Sequence, residues 1–258
     1  MSNILINNIL FDYVDQGKGD VLLFLHGLGS SKKDWDFQIP YFSKNYRTIT
    51  PDLRGHGDTG IPKEYGVDIM ASDIVELLKL LQIKKVTVIG FSMGGAIAFE
   101  LAASYPELIE KMVIVNSGPD FNNMGKIGEE LLQNRTTYLK EKGLISLAKE
   151  ISYNMFPEDH QLELRNTFEE RSKKTNFDVY FNSFTTLMDW GLGDRIKNIN
   201  TPTLIVTSDM DYTPISFKKE YMQKLKNAKL SIIHNSRHGV VIDQPVEFNK
   251  VLNDFLNE

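Results

Sequence analysis

The stretch Val86-Thr87-Val88-Ile89-Gly90-Phe91-Ser92-Met93-Gly94-Gly95-Ala96-Ile97-Ala98-Phe99 decides how the chain folds. Lys84–Ile89 reads as a short strand of buried type. Residues 93–105 read as a helix whose first turns carry the small residues Gly94, Gly95, Ala96 and Ala98, with Pro106 ending it. Between them, Gly90-Phe91-Ser92-Met93-Gly94 fits G-x-S-x-G. The pentapeptide alone also fits a plain Gly-Ser turn. Placed between a strand and a helix it gains chemical meaning. A sharp turn forces its middle residue into strained backbone, and glycines on either side let neighbouring chains approach. The Ser92 hydroxyl is lifted out of the sheet, and the helix N-terminus behind it favours developing negative charge.

Outward from this turn, the same rhythm repeats. Upstream, Ile4–Ile6 and Ile9–Val14 read as two strands joined at Asn7-Asn8, and Val21–Leu25 as a strand covered on both faces. Arg47–Leu53 is a further strand, and residues 68–82 carry Ile69, Ile74, Leu77, Leu78 and Leu81 at helical spacing. Downstream come a strand at Lys111–Val115, a strand at Pro202–Thr207, a helix beyond Pro214, a strand at Leu230–His234 and a final helix through Phe248, Val251, Leu252 and Phe255. Alternating strands and helices of this kind predict an α/β fold: a doubly wound, mostly parallel eight-stranded sheet headed by an antiparallel hairpin. Residues 120–199 break the rhythm with about four helical segments and no β-branched run between them. They are expected to form a helical cap inserted into a core made of residues 1–119 and 200–258.

Composition narrows the function classes. The 258 residues carry a net charge of −5 with no basic block, which disfavours nucleic acid or an anionic membrane as the main partner. With no cysteine, disulfides, Cys-ligated metal and thiol nucleophiles are excluded, so a nucleophile must be oxygen or nitrogen. No metal-ligand spacing such as H-E-x-x-H occurs, and no cofactor is implied. The opening residues lack a basic stretch followed by an apolar one, and no apolar run approaches bilayer length, so a cytoplasmic location is expected.

With the elbow in place, the chain resembles the α/β-hydrolase fold family over essentially its whole length, and small carboxylesterases, enol-lactonases and acyl-ester hydrolases in particular. His26-Gly27-Leu28-Gly29 resembles the family's oxyanion loop, and Pro51-Asp52-Leu53-Arg54-Gly55-His56-Gly57 is similar to its D-x-R-G-x-G loop, with Asp58-Thr59 where relatives often carry Ser. The resemblance implies Ser92 as nucleophile, with the backbone N–H groups of Leu28 and Met93 as an oxyanion hole. It also places an acid and then a histidine after the last strands. Of five histidines, His238 in Asn235-Ser236-Arg237-His238-Gly239 occupies the expected loop. His234 reads as a strand end, His26 and His56 as glycine-loop residues, and His160 as a surface turn. Asp211 fits the family's spacing between Ser208 and Pro214; Asp209 and Asp120 remain alternatives.

A serine rather than an aspartate at the elbow argues for acyl transfer, in which a general base activates the hydroxyl and a carboxylate orients the base. Phe91 stands where carbon–carbon hydrolases usually carry Asn. The elbow also resembles that of cofactor-free perhydrolases. The expected substrate is a small or medium ester with an apolar acyl or alkoxy part, held by a monomer or homodimer. Candidate pocket residues are Leu28, Trp35, Phe91, Met93, Phe121, Tyr180, Phe181, Phe184 and Trp190. Arg54 is expected to be structural, with substrate-carboxylate binding as its alternative. Two other functions fit the same residues: a non-hydrolytic lyase of the menaquinone-pathway type, which would need several cations facing the pocket and finds only seven arginines in the chain, and a ligand-binding sensor.

Overall fold

A computed structural model describes residues 2–258. Its sheet runs in the order β1-β2-β4-β3-β5-β6-β7-β8, where β1 is Ser2–Ile6, β2 Ile9–Gln16, β3 Val21–Leu25, β4 Arg47–Pro51, β5 Val86–Phe91, β6 Ile109–Val115, β7 Thr203–Ser208 and β8 Ala228–Ile233. The β1–β2 hairpin and the β2–β4 pairing are antiparallel, and every other pairing is parallel. This is the eight-stranded, mostly parallel sheet that the alternating pattern predicts. Asn7 and Asn8 both adopt positive φ, the backbone a two-residue hairpin turn requires.

Because successive strand residues face opposite sides, each central strand feeds two cores. Leu23, Leu25, Val88, Met112 and Ile114 pack on one face, while Leu22, Phe24, Ile89, Val113 and Val115 pack on the other. The helices follow the same division. The short α1 (Ile39–Phe42) lies with the second core, whereas α2 (Val67–Leu80) and α3 (Met93–Ser104) cover the first. On α2, Met70, Ala71, Ile74, Leu77 and Leu78 form the buried stripe, at helical spacing.

Between β6 and β7 the chain forms α4 (Lys126–Met155), α5 (Leu162–Ser172) and α6 (Phe177–Met188). α4 is two helices joined at Gly143, whose φ of 77° and ψ of 171° interrupt the spiral. α6 starts at Asn176, whose side chain accepts from the N–H groups of Asp178 and Val179. A small core of its own, with Leu139, Leu147, Tyr180, Phe184 and Met188, holds α4 and α6 together, while Phe168 of α5 packs in the second core. The chain closes with α7 (Ile215–Met222), the helical turn α8 (Val240–Asp243) and α9 (Pro245–Leu256).

Several boundaries differ from the sequence reading. β5 runs on to Phe91 because Gly90 and Phe91 still pair with Ile114 and Val115 of β6, so the elbow begins inside the sheet. β4 stops at Pro51, and β6 starts two residues earlier than its apolar run. No helix among the described residues is long and apolar enough to cross a membrane.

Candidate active site

Ser92 occupies the turn between β5 and α3 with φ 53° and ψ −116°, a conformation that non-glycine residues rarely adopt. The surroundings enforce it. The Ser92 N–H donates to Val115 O at 2.9 Å, anchoring the turn to β6. A Cβ at Gly90 would collide with the Gly94 carbonyl, and one at Gly94 with the Leu25 carbonyl, so both elbow glycines are required by packing. Among the described residues, neither the Leu28 nor the Met93 backbone N–H donates a hydrogen bond. Two unpaired donors therefore flank the Ser92 region, one on the loop after β3 and one at the start of α3.

That loop is tethered from below. Asp34, fully buried, accepts from Gly27 N–H at 3.2 Å and from Ser30 Oγ at 2.5 Å, and it pairs with Arg171 of α5 at 2.7 Å. Lys32 reaches the carboxylates of Asp12, Asp52 and Asp58 at 2.7, 2.5 and 3.0 Å, so the acidic trio closes around an ammonium.

The structure brings His238 together with Asp211: Nδ1 donates to Oδ1 at 2.6 Å across 27 residues of sequence. The other Asp211 oxygen, Oδ2, accepts from Thr213 Oγ1 at 2.5 Å and from Lys218 Nζ at 2.6 Å. Burial by itself would raise the Asp211 pKa. The charges of His238 and then Lys218 outweigh it and hold the group at about 2. Against Asp211, burial lowers the Lys218 ammonium from its ordinary value. The His238 ring lies between aromatic neighbours, with the Phe91 centroid at 5.1 Å and that of Tyr212 at 4.2 Å. Its Nε2 is 3.1 Å from the Tyr212 hydroxyl.

The other candidate groups have partners elsewhere. Asp209 accepts from His234 and from the N–H groups of Asn235 and Ser236, which together draw its pKa down against burial. Asp120 accepts from Gly193 N–H at 2.7 Å. His26 is fully buried between its own loop and β4, with Nδ1 on Gly27 O and Nε2 accepting from Leu53 N–H. Burial lowers its pKa to about 4, and burial with the neighbouring His26 lowers that of His56 to about 3. His160 sits in a short 3-10 turn. Arg54 makes a two-pronged pair with Asp73 at 2.5 and 2.6 Å and donates to Glu64 O at 2.8 Å, all away from the cavity.

Ser92 and His238 open into one cavity of about 470 Å³ between the sheet and α4–α6. Leu28, Phe91, Phe121, Tyr180 and Phe184 line it. Four expected wall residues, Trp35, Met93, Phe181 and Trp190, do not. Trp35 is completely buried beneath the sheet, 5.0 Å from Phe24 and 6.1 Å from Phe248 between ring centroids, because the turn carrying it points its indole into the second core. Trp190 instead donates its indole N–H to Glu100 of α3 at 3.0 Å and so fastens the end of α6 to the core. The Met93 side chain is buried in the first core, and Phe181 stacks on Phe177.

The cavity also holds two cationic groups that are not among the expected pocket residues, Arg135 and Arg237. Neither makes an ion pair among the described residues, and no aspartate or glutamate lines the cavity. Arg135 lies 5.1 Å over the Phe184 ring. Its place in the third turn of α4, on a polar helix face, carries no local signal, because only the packing of α4 over the sheet aims it inward.

The sheet order, the elbow and the helices over the cavity coincide with a known architecture, and the profile of the alpha/beta hydrolase fold matches residues 20–245. The chain belongs to the alpha/beta hydrolase fold family. Among alpha/beta hydrolase relatives, a Bacillus subtilis protein named as a candidate 2-succinyl-6-hydroxy-2,4-cyclohexadiene-1-carboxylate synthase is 26% identical, covering 98% of this chain and 97% of its own. The 3-oxoadipate enol-lactonase 2 of Acinetobacter baylyi is also 26% identical, over 94% of this chain and 91% of its own. A solved bromoperoxidase from Bacillus anthracis superposes with a TM-score of 0.91 at 26% identity, covering 100% of both chains. Relatives of this alpha/beta hydrolase thus include proteins named for hydrolysis and one named as a synthase.

Proposed function

We propose that this alpha/beta hydrolase cleaves small carboxylic esters or lactones through an acyl-enzyme on Ser92. The observation that carries the reading is a serine held at positive φ in the same cavity as a histidine whose Nδ1 is fixed on a buried aspartate. Asp211 sets the tautomer, leaving Nε2 of His238 as the proton acceptor. The Ser92 oxygen attacks the acyl carbon, and the developing oxyanion takes the N–H groups of Leu28 and Met93, which have no other partner. The leaving oxygen departs with the proton collected by the base. Water then attacks the acyl-enzyme, His238 again accepting a proton, and the acid is released.

The substrate carries a carboxylate besides the bond that is cut. Two guanidinium groups without an ion pair among the described residues, in a mostly apolar, acid-free cavity, favour an anion over a neutral ester. Apolar walls from Leu131, Ile151, Met155 and Phe168 suit a short carbon chain between the two functions. The names of the enol-lactonase and synthase relatives, an oxoadipate and a carboxylate, agree with that class.

The test compares p-nitrophenyl pentanoate with the p-nitrophenyl monoester of glutaric acid, using wild type, Ser92→Ala and Arg135→Ala. Ser92→Ala is expected to lose turnover of both, while Arg135→Ala raises KM for the glutarate alone by about tenfold or more. Equal turnover by wild type and Ser92→Ala overturns the reading. The same arginines favour a second reading, elimination on the same serine and histidine. Reaction in ¹⁸O-water separates the two: hydrolysis places ¹⁸O in the product carboxylate, and elimination does not.

A further inference from the structure

The loop that carries Leu28 is held from two sides, and one of them is the cap. On the core side, His26 Nε2 accepts from Leu53 N–H, so Nδ1 bears the proton and donates to Gly27 O at 2.8 Å, which also accepts from Ser30 N–H at 3.3 Å. A peptide is planar and trans, so fixing the Gly27 carbonyl turns the unpartnered Leu28 N–H the opposite way. On the cap side, Arg171 of α5 donates to Asp34 Oδ1 at 2.7 Å, while the same carboxylate accepts from Gly27 N–H and Ser30 Oγ. Thr175, in the turn between α5 and α6, donates its hydroxyl to Gly29 O at 3.1 Å. The Tyr180 ring of α6 lies against Gly29, where a Cβ would come within 2.7 Å of it. Burial raises the Asp34 pKa and the Arg171 charge opposes it, so the guanidinium favours the carboxylate form that accepts from Gly27 and Ser30.

We propose that Arg171 and Thr175 are positioning residues that hold the oxyanion loop from the cap, so that Leu28 N–H is aimed at the reacting carbonyl only while α5 and α6 are seated on the loop. The inference rests on the acyl-enzyme reading, with Ser92 as nucleophile and Leu28 N–H as an oxyanion donor. Neither Arg171 nor Thr175 lines the cavity, so both act through the loop and not on the substrate. Gly27 and Gly29 flank Leu28 and lack the Cβ that would resist rotation of the backbone. The loop therefore needs a hold on each of them. Gly27 is fixed through Asp34, whose charge partner is Arg171, and Gly29 through Thr175. The cap thus does more than enclose the substrate: it completes the group that meets the developing negative charge.

The experiment reads the oxyanion itself. Ser92 Oγ adds to the carbonyl carbon of a trifluoromethyl ketone with a pentyl chain, the serine proton passes to His238, and the hemiketal oxygen takes the negative charge. With that carbon ¹³C-labelled, its shift followed against pH gives the ionisation of the hemiketal. In Arg171→Met the hemiketal is expected to titrate about two pH units higher than in wild type, with kcat for p-nitrophenyl pentanoate down about 10²-fold and KM within about threefold. Arg171→Lys keeps a charge beside Asp34 and is expected to recover about tenfold of that loss. Thr175→Val strands no charge, so it decides the matter even where Arg171→Met is too unstable to study. It is expected to move the titration the same way and to lower kcat about fivefold. Arg165→Met removes another α5 arginine, one that donates to Pro157 O, and is expected to match wild type in both readouts. A wild-type titration in either Arg171→Met or Thr175→Val, a rise in KM alone, or an equal effect from Arg165→Met overturns the proposal. Should Ser92→Ala hydrolyse the pentanoate as fast as wild type, the nucleophile assignment itself has failed. Should Ser92→Ala be inactive while the hemiketal ionises alike in every variant, only the positioning role has.

Discussion

Lys218 Nζ lies 2.6 Å from Asp211 Oδ2, and neither side chain exposes any surface. The ammonium also donates to the Thr213 carbonyl at 2.6 Å, and the same Asp211 holds His238 through its other oxygen. A fully buried charge is tolerated only with a partner, and removing one partner costs more than the pair contributes. Lys218→Met is therefore expected to destabilise the protein by about 3–5 kcal/mol in urea denaturation. Adding Asp211→Asn, which removes the stranded charge, is expected to restore part of that loss. A double variant as unstable as the sum of the single ones would show that the two charges do not interact.

The three aspartates near the last strands are expected to separate sharply in kinetics. Asp211→Asn leaves His238 free to take the wrong tautomer and should lower kcat by about 10³–10⁴-fold. Asp209→Asn and Asp120→Asn, which disturb only turn hydrogen bonds, should stay within about tenfold of wild type. Steady-state rates on one activated ester check the order, and a larger loss from Asp209→Asn or Asp120→Asn would reassign the carboxylate.

The two arginines weighed for substrate binding are expected to fail in different ways. Arg54→Met strands the buried Asp73 and should cost about 3–5 kcal/mol of stability. Arg135→Met breaks no ion pair, so its melting temperature should stay close to wild type while KM for a carboxylate-bearing ester rises. Thermal melts beside kinetics on the glutarate monoester distinguish them. A low melting temperature for Arg135→Met would mark it as structural.

Acidification is expected to unfold the protein through two buried imidazoles. The folded pKa values of His26 and His56, about 4 and about 3, lie below the unfolded value of 6.5. Between those limits the unfolded chain binds more protons, so stability is complete above pH 6.5 and falls as the pH drops. Each histidine contributes a slope of up to about 1.4 kcal/mol per pH unit. Urea midpoints between pH 7 and pH 4.5 measure it, and His56→Gln should flatten the fall by up to one such slope. An unchanged slope would show that His56 titrates alike in both states.

Much of this molecule is written locally. The eight strands and the helices that cover them follow from apolar runs of strand length alternating with helical stripes. The elbow follows from two glycines whose missing Cβ atoms admit the Gly94 and Leu25 carbonyls. Such features depend on residues a few positions apart, which is why the order of elements and the place of Ser92 could be read without coordinates.

What the tertiary structure alone decided are choices among chemically equal candidates. Asp120, Asp209 and Asp211 all follow strands, and which one meets His238 depends on how two loops, 27 residues apart in the contact, converge at the sheet edge. Trp35 and Trp190 are both large aromatics near loops, yet one is drawn into the second core and the other to Glu100 of α3. Arg54 and Arg135 carry the same charge. The first is neutralised by Asp73 in the core, and the second is turned into the cavity by the packing of α4. The phenol of Tyr212 reaches Nε2 for the same reason. A sequence specifies which groups are available over a few residues, but a side chain's partner is set by long-range packing, because burial and hydrogen-bond satisfaction are settled only when distant segments close on one another.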